Sequence, residues 1–301
     1  YKYAGKSLLA LSQFKKAQEY LLKAHQLDGR DAETIKDIGN IFLILGNKSN
    51  ALKWYEKALG INESYAPALH NIANIKRQSG NTQEAIALFQ RAIQADPNLI
   101  QAYVGVATIF LRLGDFNQAQ SFAGQGLAIN EKSPGINEIL GITCQNKSKP
   151  DQAIKYYKKE LDINPKASNS LLNLGLLLLQ KGQTAAAVES LSKASAIAPS
   201  EQCSLLLAQS YQALKQFKAA IIEYKKIDMD QTKNKMIPFN LGVCLLEIGD
   251  NNGAIEVFQI ALKLDVKFVA AWGNLGSGFK REGRYRDALN ATQKVLDLDP
   301  D

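Results

Sequence analysis

Nine alanines recur along this chain at a spacing that scarcely drifts: Ala17, Ala51, Ala85, Ala119, Ala153, Ala187, Ala220, Ala254 and Ala288. The step is 34 residues seven times and 33 once, between Ala187 and Ala220. A fixed period of that length belongs to stacked repeats, in which each unit buries its apolar face only against its neighbours. A length of 301 residues would otherwise suggest two compact domains. A stacked array instead grows in one dimension and needs no large common core.

The stretch from Ala66 to Leu99 shows what one unit is. Leu69, Ile72, Ala73 and Lys76 fall at i, i+3, i+4 and i+7, one stripe of a helix. Gly80 predicts its stop, because glycine takes the left-handed conformation without steric cost. Ala85, Phe89 and Ala92 then share a face of a second helix, and Pro97 is expected to end it.

The other eight units fall on the same frame. Position seven is apolar in each: Ala4, Ile38, Ile72, Val106, Leu140, Leu174, Leu207, Leu241 and Leu275. Position eight is always small: Gly5, Gly39, Ala73, Ala107, Gly141, Gly175, Ala208, Gly242 and Gly276. Glycine inside a helix costs about 1 kcal/mol relative to alanine, so close backbone approach between paired helices is the expected compensation. Tyr55, Phe89, Tyr157, Tyr224 and Phe258, four residues beyond the alanines, are expected to fill the space between units. Turn glycines recur at Gly46, Gly80, Gly114, Gly182, Gly249 and Gly283.

Trp272, Leu275, Gly276, Phe279, Gly283, Tyr285, Ala288 and Pro300 of the last unit carry the pattern by which the chain resembles the tetratricopeptide repeat. Asn137, Ser204 and Pro238 depart from its first large apolar position, and the units closing near Gly29, Glu63, Glu131, Thr232 and Val266 lack its terminal proline. The resemblance implies an all-α fold, a right-handed α-solenoid superhelix of nine stacked helix-turn-helix units. On this frame they span about 1–31, 32–65, 66–99, 100–133, 134–167, 168–200, 201–234, 235–268 and 269–301, a single array. Opening at Tyr1 without methionine and closing at a repeat boundary, the chain reads as a segment of a longer protein.

In such arrays the first helices are implied to line an inner groove. The residues assigned there are polar toward the N-terminal side: Lys36, Asp37, Asn40, His70, Asn71, Asn74, Arg77 and Arg112. Lys36, Asn40 and Asn71 match three of the five residues with which chaperone-binding relatives clamp a C-terminal carboxylate, but the other two places hold Gln101 and Gly105. A plain wet polar face is the competing reading. Farther along, the same positions turn apolar at Leu172, Leu176, Leu179, Leu205, Phe239, Val243 and Leu246. These read either as a groove for an apolar or amphipathic segment, or as packing between adjacent first helices. Asn71, Asn173, Asn240 and Asn274 recur at position six, with Asp37 in the matching place, and resemble the asparagine ladder of O-linked N-acetylglucosamine transferase superhelices. That ladder grips peptide backbone, for which an amide offers both donor and acceptor. Here Gly105, Ile139 and Leu206 interrupt it.

Nothing in the pattern points to catalysis. Two histidines, His25 and His70, stand on different units, no ligand set for a metal occurs at the usual spacing, and no phosphate-binding glycine motif is present. No cofactor is expected. Cys144, Cys203 and Cys244 lie far apart and read as reduced, buried residues of a cytoplasmic protein. The net charge of +7 is spread along the chain, against nucleic-acid binding, and no apolar run is long enough to span a membrane. Lys155, Lys158, Lys159, Lys225 and Lys226 fall on second helices, where solvation is their expected purpose.

Three readings compete. The first is a scaffold that binds a peptide, helix or partner protein. The second is the non-catalytic recognition arm of a larger, glycosyltransferase-like enzyme. The third is self-association through uncapped end repeats.

Overall fold

In the computed structural model, which describes residues 1–299, eighteen α-helices and no strand occur among the described residues. They form two compact units. In the first, Tyr1–Ile163, first helices α1 (Lys2–Ala10), α3 (Ala32–Ile44), α5 (Ala66–Gln78), α7 (Ile100–Arg112) and α9 (Ile136–Asn146) alternate with second helices. Those are α2 (Phe14–Leu27), α4 (Lys48–Ile61), α6 (Thr82–Ala95), α8 (Phe116–Ile129) and α10 (Pro150–Ile163). The second unit begins at Asn164 and pairs α11 (Ser168–Gln180) with α12 (Thr184–Ile197), then α13 (Glu201–Ala213) with α14 (Phe217–Tyr224). Its last two pairs are α15 (Met236–Ile248) with α16 (Asn251–Leu264), and α17 (Val269–Arg281) with α18 (Tyr285–Leu298). Within each unit every helix packs on its partner, and each second helix packs on the first helix of the pair that follows it there. Pro300, assigned to the last repeat motif, lies outside the described residues.

Eight of the nine periodic alanines are wholly buried, and Ala288 on α18 is partly covered. The six turn glycines all take positive φ, from 72° to 85°. The three remaining turns put Ser12, Ser148 and Lys215 in that conformation at 54–58°, so the frame tolerates the steric penalty where glycine is missing.

The small position eight has a different cause from the one expected. A Cβ on Gly39 would lie 2.6 Å from the Tyr55 ring, and one on Gly141 or Gly242 would lie 2.5 Å from Tyr157 or Phe258. Gly175 makes the same room for Leu191. The glycine therefore admits a large side chain from its own hairpin's second helix rather than a neighbouring backbone. In the third hairpin position eight is Ala73, and the Phe89 ring lies against Gly105 of the next hairpin.

Proline is not what ends the second helices. Asp28, Asn62, Asp96, Asn130 and Asp265 each leave the helix in extended conformation, and each accepts the N–H two residues on at 2.9–3.0 Å. This Asx turn offers the backbone a local partner that competes with the next helical bond. Where Pro97 follows Asp96, it adds the restriction of the preceding residue to extended backbone. At Ala198 the helix breaks without such a side chain, and there Ser200 caps α13 at once, accounting for the 33-residue step. In the seventh pair α14 stops at Tyr224, so Lys225 and Lys226 lie past its end rather than on it. Lys155, Lys158 and Lys159 are exposed on α10 as expected.

Candidate functional site

Each polar residue assigned to the groove sits on a first helix of the first unit, but the structure divides them into two groups. Lys36 on α3 is held by its neighbour, with Nζ 2.6 Å from Asp37 Oδ1. Asn40 Oδ1 accepts from the Tyr55 hydroxyl at 2.8 Å and from Asn71 Nδ2 at 2.9 Å, while its own amide reaches Asp37 at 3.5 Å. The three clamp-matching residues are thus joined in one network around a wholly buried tyrosine. Burial raises the Tyr55 phenol far above its ordinary range, so it remains a donor at every relevant pH.

The second group lies on α5 alone. Arg77 Nη2 donates to Asn74 Oδ1 at 3.2 Å, and Asn74 Nδ2 lies 2.9 Å from His70 Nε2. His70 also packs against Phe89 with ring centres 5.5 Å apart. Burial, with the Arg77 charge second, lowers its imidazole to about 4. These three side chains line a recess of about 380 Å³ with Ile100, Gln101, Val104, Gly105, Thr108, Ser133 and Pro134. Arg112, at the end of α7, is exposed. Thr108 escaped the sequence reading, although it occupies the register position of Asn40 and Asn74. Its signal was that alignment.

The asparagine ladder resolves into particular contacts. Asn71 and Asn240 each lie near the phenol of the preceding second helix, Tyr55 and Tyr224 respectively, and each works against the upward push that burial gives it. Gly105 takes that place where the ring is Phe89, which has no hydroxyl to satisfy. Asn173 and Asn274 are half-buried on α11 and α17.

In the second unit the apolar row is largely engaged. Phe239 lies between Phe258 and Phe268, at ring distances of 5.9 and 4.8 Å, and Leu205 and Val243 pack against the same core. Leu246 is buried in it, so it offers no free groove surface. Leu172 and Leu176 are half-buried on α11, and Leu172 borders a recess of about 280 Å³ beside Cys203. All three cysteines are buried free thiols, and burial pushes Cys244 up to about 11. Among the described residues no three His, Cys, Asp or Glu side chains converge as a metal set, and no helix is long and apolar enough to cross a membrane.

Paired helices of constant register, each pair burying a small-residue seam, define a helical-hairpin repeat protein. The hairpins are tetratricopeptide repeats: family models of that name match residues 37–65 and 64–132, and a model described as anaphase-promoting complex, cyclosome, subunit 3 matches 146–227. The small glutamine-rich tetratricopeptide repeat-containing protein 2 of Mycosarcoma maydis is 34% identical over 87 residues, 29% of this chain and 24% of that protein. The probable UDP-N-acetylglucosamine–peptide N-acetylglucosaminyltransferase SPINDLY of Hordeum vulgare is 24% identical over 155 residues, 52% of this chain and 14% of that protein. The chain therefore spans well under half the length of the curated relatives it matches. Among solved structures, YrrB, described as a tetratricopeptide-repeat protein with an unusual peptide-binding site, superposes with a TM-score of 0.50 at 22% identity, over 66% of this chain and 99% of its own.

Proposed function

We propose that the chain is a protein-interaction scaffold that holds a peptide, a helix or a partner protein against its first helices. Tetratricopeptide repeats generally mediate such binding and are generally not catalytic. The supporting observation is the row His70–Asn74–Arg77, three polar side chains bonded to one another along α5 and bordering an open recess. Lys36, Asn40 and Asn71 serve as the floor of that surface more than as a carboxylate clamp, because their bonds are made with one another and with Tyr55 and Asp37.

A second reading has its own support. The match to SPINDLY favours a recognition arm attached to a transferase, with Asn173, Asn240 and Asn274 contributing to a grip on peptide backbone. Under either reading Leu172, Leu176, Leu205, Phe239 and Val243 are a subsidiary apolar contact. Self-association through the end repeats would use Tyr285, Leu289 and Leu296, which are exposed on α18.

Selection of a displayed peptide library on the protein tests the proposal. Enriched peptides are expected to bind the parent and to lose most of their affinity for the Asn74→Ala, Arg77→Ala double variant. A library that yields no enrichment, or only peptides indifferent to that variant, overturns it.

A further inference from the structure

The donor geometry of the α5 row specifies more than a polar surface. A guanidinium has only donors, so the Asn74 atom 3.2 Å from Arg77 Nη2 must be its oxygen. The amide nitrogen then faces His70 Nε2 and donates to it. A neutral imidazole that accepts at Nε2 carries its proton on Nδ1. That Nδ1 and Arg77 Nε are both buried without a hydrogen-bond partner among the described residues. Every unsatisfied atom in the row is thus a donor.

Charge points the same way. Arg77 is partly buried, and burial together with the neighbouring charge of Arg112 weakens its hold on its proton. Neither guanidinium forms a salt bridge among the described residues, whereas the nearby Glu84 is paired with Lys76 at 2.9 Å. The other polar side chains of the recess, Gln101, Thr108 and Ser133, are uncharged. Arg77 lines a recess that holds no acid, and the Arg112 charge lies close enough to act on it, so the surroundings suit an anion.

We propose that this recess takes the carboxylate of an Asp or Glu side chain from within a bound polypeptide, with Arg77 and Arg112 supplying charge and the His70–Asn74 pair fixing its place. The proposal rests on the scaffold reading above. It differs from capture of a chain terminus because Gln101 and Gly105 carry no cation where a terminal clamp has two. The remaining clamp residues are bonded among themselves.

The test uses three short Ala/Ser/Gly peptides. The first has a central Glu and both ends blocked, the second is its Gln twin, and the third is the Gln peptide with a free C-terminus. Each is titrated into the ¹⁵N-labelled protein while the arginine Nε–H and histidine ring resonances are followed. The Glu peptide is expected to shift Arg77 and His70 and to bind about ten-fold more tightly than its Gln twin, as a charge-assisted contact of about 1.4 kcal/mol requires. Arg77→Gln should remove that preference. The exposed Arg112→Gln should reduce it several-fold with the fold intact. Equal binding of the Glu and Gln peptides at these resonances overturns the acidic preference and leaves the scaffold reading standing. Binding by the free-terminus peptide alone overturns it in favour of a terminal carboxylate. No shift from any peptide counts against both.

Discussion

The two compact units use one repeat frame but set different side chains on their first helices. In Tyr1–Ile163 one face of α3 and α5 carries hydrogen-bonded polar side chains, buried or half-buried, from Lys36–Asp37–Asn40–Asn71 to His70–Asn74–Arg77. From Asn164 onward equivalent positions carry Leu172, Leu205, Phe239 and Val243, of which the last three lean into the core. Beneath both faces lies the same seam, in which a glycine receives a ring: Tyr55 on Gly39 in one unit, Phe258 on Gly242 in the other. The fold is therefore carried by the seam, and the chemistry of the face varies independently.

The largest expected effect tests the polar side of this contrast. His70 titrates at about 4 in the folded state against 6.5 unfolded. A histidine held neutral by burial stabilises the fold fully above its unfolded value, and that contribution is lost as pH falls from 6.5 toward 4. The loss approaches about 3 kcal/mol, with no further change below. His25 shifts in the same direction, while burial raises the Glu160 carboxyl and works the opposite way. The measurement is accordingly a difference: amide exchange in α5–α6 at pH 7 and pH 5, parent against His70→Gln. Protection that falls equally in both proteins breaks the assignment.

Next in size are the seam glycines. Gly39→Ala and Gly242→Ala should each destabilise by overpacking of about 1–3 kcal/mol, since Tyr55 and Phe258 are wholly buried and cannot swing outward. Similar losses in both units, read from local exchange, sharpen the claim of a shared seam; a loss in one alone breaks it. Smaller still is Tyr55→Phe, which removes one donor from Asn40 and should cost about 1 kcal/mol. Tyr224→Phe should cost a similar amount, because the Tyr224 hydroxyl donates to Gln212 at 2.9 Å. Thermal denaturation of the pair checks this.

The seam was legible in the sequence because it is periodic. Thirty-four-residue spacing places the hairpins, the small positions and most turns. Spacing alone points the ring to the gap between units and the glycine to backbone approach, because it gives a face, not a partner sixteen positions away. The Asx turns are harder to read because proline is the louder signal, although Asp28, Asn62 and Asn130 break helices with no proline beside them. The site was less legible still. Sequence put Lys36, Asn40 and Asn71 on one face but could not show that they bond to one another and to Tyr55. Nor could it show that His70, Asn74 and Arg77 leave only donors unsatisfied.

The last glycine of the seam shows how far the frame can be trusted. Gly276 occupies position eight of its hairpin, yet the residue sixteen positions on is Thr292, not a ring or a leucine. A Cβ there would meet Ala291 Cβ at 3.5 Å and the Ala288 carbonyl at 3.6 Å, ordinary van der Waals separations. The reason that makes glycine necessary at Gly39 is absent, while its cost in the middle of α17 remains. Gly276→Ala should therefore stabilise the last hairpin by up to about 1 kcal/mol, the gain in helix propensity and reduced unfolded-state entropy. Amide exchange across α17 and α18 would show slower opening in the variant. If exchange there quickens as it does for Gly39→Ala, position eight is small because of the backbone after all, and the ring is a passenger.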